Sequence, residues 1–224
     1  MLQKSPQSQF LPGTEPRPGC RKCPRLADYR REIACEFPDW HGAPVPTWGD
    51  PSAWLAIVGL APGKHGAHRT GRPFTGDQSG EVLFAALDRF ALSRGSFAND
   101  PEDGVKLDGT MIFNAVKCLP PQNKPIGAEL NNCRPYLMRQ LAALPNLRVI
   151  IALGKVAHDS LVRGFGMRLA ERPFGHLAEH QLPNDKILID SYHCSRYNMN
   201  TGRLTTEMFG AVFMRALQLN EVIT

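Results

Sequence analysis

The chain has no run approaching eighteen uninterrupted apolar residues, so no transmembrane helix is expected. Its opening segment, MLQKSPQSQFLPGTEPRPG, lacks the apolar centre of a secretory signal. A reducing, cytoplasmic setting is the expectation, and there six cysteines argue for metal binding or catalysis rather than disulfides. The dinucleotide fingerprint GxGxxG is missing, as is the phosphate-loop pattern GxxxxGK followed by Ser or Thr. Charge of one sign is also scarce. Twenty-six basic against 21 acidic side chains leave +5, a mild bias toward polyanions.

What is present is a globular composition, 42% hydrophobic and 21% charged over 224 residues. That length suits a single domain, 1–224, with residues 1–19 as a loosely packed arm. Four short apolar runs, Trp54–Leu60, Met111–Val116, Leu147–Leu153 and Lys186–Tyr192, lack strict alternation. Runs apolar on both faces predict buried parallel strands. Between and after them lie amphipathic segments of helical length, Ser79–Leu92, Ala128–Leu144, Gly154–Val162 and Arg203–Gln218, and a further helix is expected around Leu26–Cys35. The alternation predicts an α/β layered sandwich with right-handed crossovers, and its site belongs at the C-terminal ends of the strands.

Those strand ends carry unusual residues. After the first comes GLAPGKHGAHRTGRPFTGDQSG, residues 59–80. Glycines let a backbone approach a ligand closely, and His65, His68, Arg69, Arg72 and Asp77 add polar groups to a loop that could otherwise be a plain surface excursion. After the second comes Asn114, whose amide offers both a donor and an acceptor, although turns use asparagine as often. After the fourth comes His193, placed to donate to a developing negative charge. Cys20 and Cys23 form a CxxC pair, and Cys118 and Cys133 lie fifteen positions apart. Four thiolates suit structural zinc or an iron–sulfur cluster, and spacing alone does not separate the two.

Taken together, the glycine-rich run, the segment FNAVKC, the segment HCSRYNMNTGRL and the four cysteines resemble the uracil-DNA glycosylase superfamily, and within it the iron–sulfur family 5 branch, or type B. The resemblance implies a three-layer α/β/α sandwich around a central four-stranded parallel sheet, with an N-terminal cysteine-containing arm. It implies a [4Fe–4S] cluster on Cys20, Cys23, Cys118 and Cys133. Gly59, Ala61 and Gly63 then line the base pocket, Phe74 stacks on the flipped base, Asn114 reads it and His193 stabilises it as it departs. Asn198 ends the histidine motif and is, with His193 and Asp77, a candidate catalytic residue. Other branches place an acidic or amide residue where Ala61 stands; family 5 shares this absence, which leaves Asp77 as the candidate for activating water. Cys194 replaces the proline that usually follows the histidine, which predicts a looser loop.

The implied partners are double- and single-stranded DNA carrying deaminated bases (uracil, hypoxanthine, xanthine, ethenocytosine), with no membrane. The implied product is an abasic site. Arg69, Arg72, Arg196, Asn200 and Arg203 are the candidate DNA contacts. A monomer is expected, cytoplasmic and nucleoid-associated when on DNA. The competing readings are a non-catalytic damaged-DNA binding module, a zinc-dependent hydrolase and a family 4 enzyme.

Overall fold

A computed structural model describes residues 13–222. Its elements, in chain order, are α1 (Pro24–Glu36), β1 (Trp48–Gly49), β2 (Leu55–Gly59), α2 (Ala67–Thr70), α3 (Gln78–Arg89), β3 (Ser93–Arg94), β4 (Lys106–Leu107), β5 (Thr110–Asn114), α4 (Gly127–Ala142), β6 (Val149–Leu153), α5 (Lys155–Gly164), β7 (Glu179–Gln181), β8 (Ile187–Ser191), α6 (Arg196–Asn200) and α7 (Thr206–Val222).

The four apolar runs become β2, β5, β6 and β8, paired in parallel in the order β5-β2-β6-β8. Nearly every residue of these strands is buried, because helices cover both faces. Ile57, Ile151 and Ile189 point to one side, against Leu83 and Leu87 of α3 and Phe209 and Phe213 of α7. Val58, Ile150 and Leu188 point to the other, against Leu137 and Leu141 of α4 and Leu161 of α5. This is the expected three-layer sandwich.

The sheet has six strands rather than four. The short β1 joins β5 and β7 joins β8, both antiparallel, at the two edges. Two or three residues carry no readable hydrophobic period, so neither edge strand has a sequence signal. The short helices α2 and α6 likewise fall inside segments that read as loops. The last helix starts later than Arg203 because the Thr205 hydroxyl accepts from Met208 N at 3.2 Å and so caps it.

Part of the predicted arm, residues 1–12, lies outside the described residues. Within 13–19, Glu15 accepts from the amide and hydroxyl of Thr47 at 2.7 and 2.6 Å. No helix among the described residues is long and apolar enough to cross a membrane.

Candidate base pocket and cysteine pocket

Parallel pairing brings the ends of β2, β5 and β8 to one rim of the sheet. In the β2–β5 register Gly59 is the partner of Asn114, and β8 runs out two residues before His193. A cavity of about 300 Å³ opens there, and its walls include Leu60, Ala61, Pro62, Gly63, Ala67, Phe74, Asp77, Ser79, Asn114, Asn123, His193 and Ser195.

The local chain is built to admit these side chains. A Cβ on Gly59 would stand 2.8 Å from Cζ of Phe74 and 3.0 Å from Oδ1 of Asn114, so only glycine leaves room for both. Phe74 itself sits in the left-handed region, at φ 52°, a costly conformation for a bulky side chain that turns its ring into the cavity wall. The rings of Phe74 and His193 are 6.1 Å apart between centroids, with 23° between planes. Nδ1 of His193 is buried and has no partner among the described residues. Burial lowers the pKa of this imidazole, and the Asp77 charge opposes the effect only in part, so the ring is neutral near pH 7.

Asp77 is the N-cap of α3, where Oδ1 accepts from Gly80 N at 3.2 Å. Its other oxygen lies against Gly66 and 3.2 Å from where a Cβ of Gly63 would be. Asn198 does not line the cavity. Its Nδ2 donates to the carbonyl of His193 at 2.8 Å, so it holds the main chain of the histidine rather than a ligand. Cys194 is fully buried, and its thiol donates to Ser79 O at 3.5 Å. That contact ties the histidine loop to the start of α3.

Four of the five candidate DNA contacts, Arg69, Arg196, Asn200 and Arg203, are exposed. Arg196 reaches Gln78 at 2.8 Å, and Arg203 lies 4.8 Å from the centre of the Tyr192 ring. Arg72 is not a surface contact. It is 2% exposed, forms a two-pronged pair with Asp103 at 2.6 and 2.7 Å, and donates to Thr75 Oγ1 at 2.7 Å under the rings of Trp48, Phe84 and Phe97. The glycines around it suggested an open loop, whereas the aromatic rings packed against it make it part of the core. Leu60, Pro62, Ala67, Ser79, Ser195 and Asn123 are wall residues that sequence reasoning did not single out, and Asn123 is the most distant of them from the motifs. It lies in the turn PPQNKP at φ 56°, a conformation asparagine tolerates, and its only prior signal was that run of turn formers.

The four motif cysteines line a second pocket, which shares no wall residue with the first. Cys23 caps α1, Cys133 lies in α4, and Cys118 follows β5. Arg25 and Glu129 clamp α1 to α4 with two 2.8 Å bonds. Three N–H groups face the sulfurs: Arg30 Nη1 is 3.0 Å from Cys118, Lys117 N is 3.3 Å from Cys133, and Asn132 Nδ2 is 3.6 Å from Cys23. Burial pushes the thiols of Cys118 and Cys133 up, to about 12 and about 11. Donors aimed at sulfur suit metal-bound thiolates, which accept such bonds well.

A further trio, His158, His180 and Asp190, is buried together behind β8. Its contacts, 2.7 Å from His158 and 3.1 Å from His180 to the carboxylate, have hydrogen-bond lengths, and Gly175 N also donates to that carboxylate. It braces the strand that ends at the histidine loop.

Residues 46–217 match the family model described as the uracil DNA glycosylase superfamily. Among curated proteins, the chain is 44% identical over 205 residues to a type-5 uracil-DNA glycosylase of Thermus thermophilus, covering 89% of this chain and 93% of that protein. It is 42% identical over 209 residues to one of Mycobacterium leprae, covering 89% and 91%. To a type-4 uracil-DNA glycosylase of Pyrobaculum aerophilum it is 35% identical over 150 residues, covering 66% and 62%.

Proposed function

The chain belongs to the uracil DNA glycosylase superfamily, and from that premise we propose that it excises uracil from DNA by hydrolysing the bond between base and sugar. A base inside a duplex shields that bond, so the nucleotide must first leave the stack, at a cost of a few kcal/mol. The observation that carries the reading is the convergence of Phe74, Asn114, His193 and Asp77 on one cavity at the sheet rim.

Each residue has a distinct part. The extruded base stacks on Phe74, a contact worth about 1–3 kcal/mol. The amide of Asn114 pairs with the base edge. As the bond breaks, negative charge gathers on the base, and the neutral imidazole of His193 donates a hydrogen bond to it. Asp77, held by its capping bond, orients water toward the sugar and offsets the positive charge that develops there. Ala61 forms an apolar part of the wall and offers no group that could activate water. The product is an abasic site with the strand intact. Lys64, the lysine of this loop, lies 3.7 Å from Glu36 and over the Phe37 ring, and is not part of the cavity wall.

The small side chains of Ala61, Gly63 and Ala67 and a volume of about 300 Å³ support hypoxanthine, xanthine and ethenocytosine as further substrates, and the proposal extends to single- and double-stranded DNA. Arg69, Arg196, Asn200 and Arg203 are the exposed groups that would grip phosphates, and the protein acts as a monomer in the cytoplasm.

The second pocket fits a [4Fe–4S] cluster held by Cys20, Cys23, Cys118 and Cys133. A single zinc bound to four sulfurs at about 2.3 Å would draw those sulfurs within about 4 Å of one another. Among the described residues, the one trio of ligand atoms mutually within 4.8 Å is the histidine–aspartate set, not any three of these cysteines. The chemistry of the cysteine set, four thiols lining one pocket with three N–H donors facing their sulfurs, supports a cluster bound through thiolates. Bound there, the cluster supplies cross-linking, fastening α1 and α4 to the segment that follows Asn114.

The test is a panel of oligonucleotides, single- and double-stranded, each carrying one uracil, hypoxanthine, xanthine or ethenocytosine. Alkali-labile product from uracil is expected, with purine lesions also cut. Binding without any abasic product from uracil would replace the enzyme with a damage-binding module.

A further inference from the structure

We infer that Arg30 is the counter-charge of the group held by the four cysteines: its guanidinium donates from Nη1 to Sγ of Cys118 at 3.0 Å and from Nη2 to the carbonyl of Cys20 at 2.9 Å, bridging two of the four ligand residues. The inference rests on the reading of that pocket as a metal-cluster site.

Arg30 lies on the inner face of α1 and is 6% exposed. Among the described residues no carboxylate lies within ion-pair distance of it, which sets it apart from the buried Arg72 with its Asp103. A second cation, Lys117, is buried on the same side. Its ammonium has no hydrogen-bond partner among the described residues and lies 3.8 Å from Glu15. Burying a guanidinium away from any anion is strongly disfavoured, so a fold that places one here needs negative charge in the pocket. Neutral thiols do not supply it. Four thiolates do, because they outnumber the positive charge of either a zinc ion or a cubane iron–sulfur core and leave the loaded site net negative.

Two consequences follow for the holoprotein. The positive field and the N–H···S bond favour whichever state of the cluster carries more negative charge, so Arg30 raises the midpoint potential for one-electron reduction. The same guanidinium ties the Cys118 sulfur to the Cys20 main chain and holds two ligand residues in place, so Arg30 slows metal loss. Arg30 is thus a tuning and retaining residue that does not touch the substrate.

The test compares wild type with Arg30→Met, purified anaerobically as holoproteins. Iron, sulfide and zinc content are measured first, then the midpoint potential by protein-film voltammetry, then the rate of metal transfer to a chelator. The expected result is a potential lower by at least 59 mV, a tenfold change in the balance between oxidation states for one electron. Metal release at least tenfold faster is expected as well. A folded Arg30→Met protein with wild-type metal content, potential and release rate overturns the inference. If that variant does not fold, Arg30→Gln, which keeps an amide donor but no charge, decides by the same two measurements. Zinc in place of iron in the wild type would overturn the cluster reading alone, since the release rate still reports on Arg30. Loss of uracil excision by the wild type would overturn the enzymatic reading and leave both measurements unaffected.

Discussion

The side-chain amide of Asn198 donates to the carbonyl oxygen of His193 at 2.8 Å, so the two ends of the HCSRYN segment are tied through main chain and not through the imidazole. The ring is left free to face the cavity while its own backbone is clamped.

This separation predicts unequal losses. His193→Ala removes a preorganised donor and should slow single-turnover uracil release roughly 10²–10³-fold, with DNA affinity little changed. Asn198→Ala removes a positioning bond worth about 1 kcal/mol and should slow release about tenfold or less. Rapid-quench excision assays beside gel-shift titrations read both. Equal losses for the two would show that the amide acts on substrate.

Asp77 combines a cap with a carboxylate at the cavity wall, and two substitutions divide these jobs. Asp77→Asn keeps an oxygen for Gly80 N, so thermal stability should hold while excision falls by about 10²–10⁴, the usual range for a lost acid–base group. Asp77→Ala should lose the same activity and, in addition, about 1 kcal/mol of stability. Calorimetry paired with excision rates checks this. A fully active Asn variant would remove the negative charge from the mechanism.

Arg72 should report on folding rather than on DNA. Arg72→Leu leaves Asp103 buried without its partner, a loss of about 3–5 kcal/mol by denaturant titration. The salt dependence of DNA binding by the fraction still folded should stay as in wild type, because no phosphate contact is removed. Arg196→Ala should do the reverse, flattening the salt slope with stability unchanged.

Acid should weaken the fold through its buried imidazoles. His68 is fully buried with neither ring nitrogen partnered among the described residues, and burial, helped by the nearby charges of His41, Arg30 and Lys64, lowers its pKa to about 4. Between about 6.5 and 4 the unfolded chain takes up a proton that the folded chain refuses. The stability this group allows is therefore complete above about pH 6.5 and erodes as pH falls, by up to about 1.4 kcal/mol per pH unit. Burial also depresses His41, His176 and His193, which act in the same direction. Urea titrations at several pH values should show a shallower slope in His68→Gln than in wild type. An identical slope would mean that His68 is solvated.

The central strands were legible because their apolar runs are long enough to be buried on both faces, as Val149–Leu153 shows. The edges were not, because Trp48–Gly49 pairs through main-chain groups that any residue supplies. The cavity residues on strand ends, Asn114 and His193, stood out as polar groups following apolar runs. Asn123 did not, because its place in the wall depends on how a proline turn folds back across the rim. Arg72 read as a phosphate contact because charge in a glycine-rich run looks exposed; its partner Asp103 and the Trp48 ring come from other parts of the chain, and no local pattern announces that.

Gly59 and Asn114 are rungs of one ladder, so the gap that admits the phenyl ring and the amide beside it keep their spacing through backbone bonds. Fifty residues of connector separate these strands, and length drift there that stays clear of the pocket loop and the core leaves the alignment intact. A single residue inserted within either strand would turn every later side chain to the opposite layer. The architecture thus divides the chain into stretches where a tag or a duplicated turn can be spliced in and a narrow band where counting is absolute.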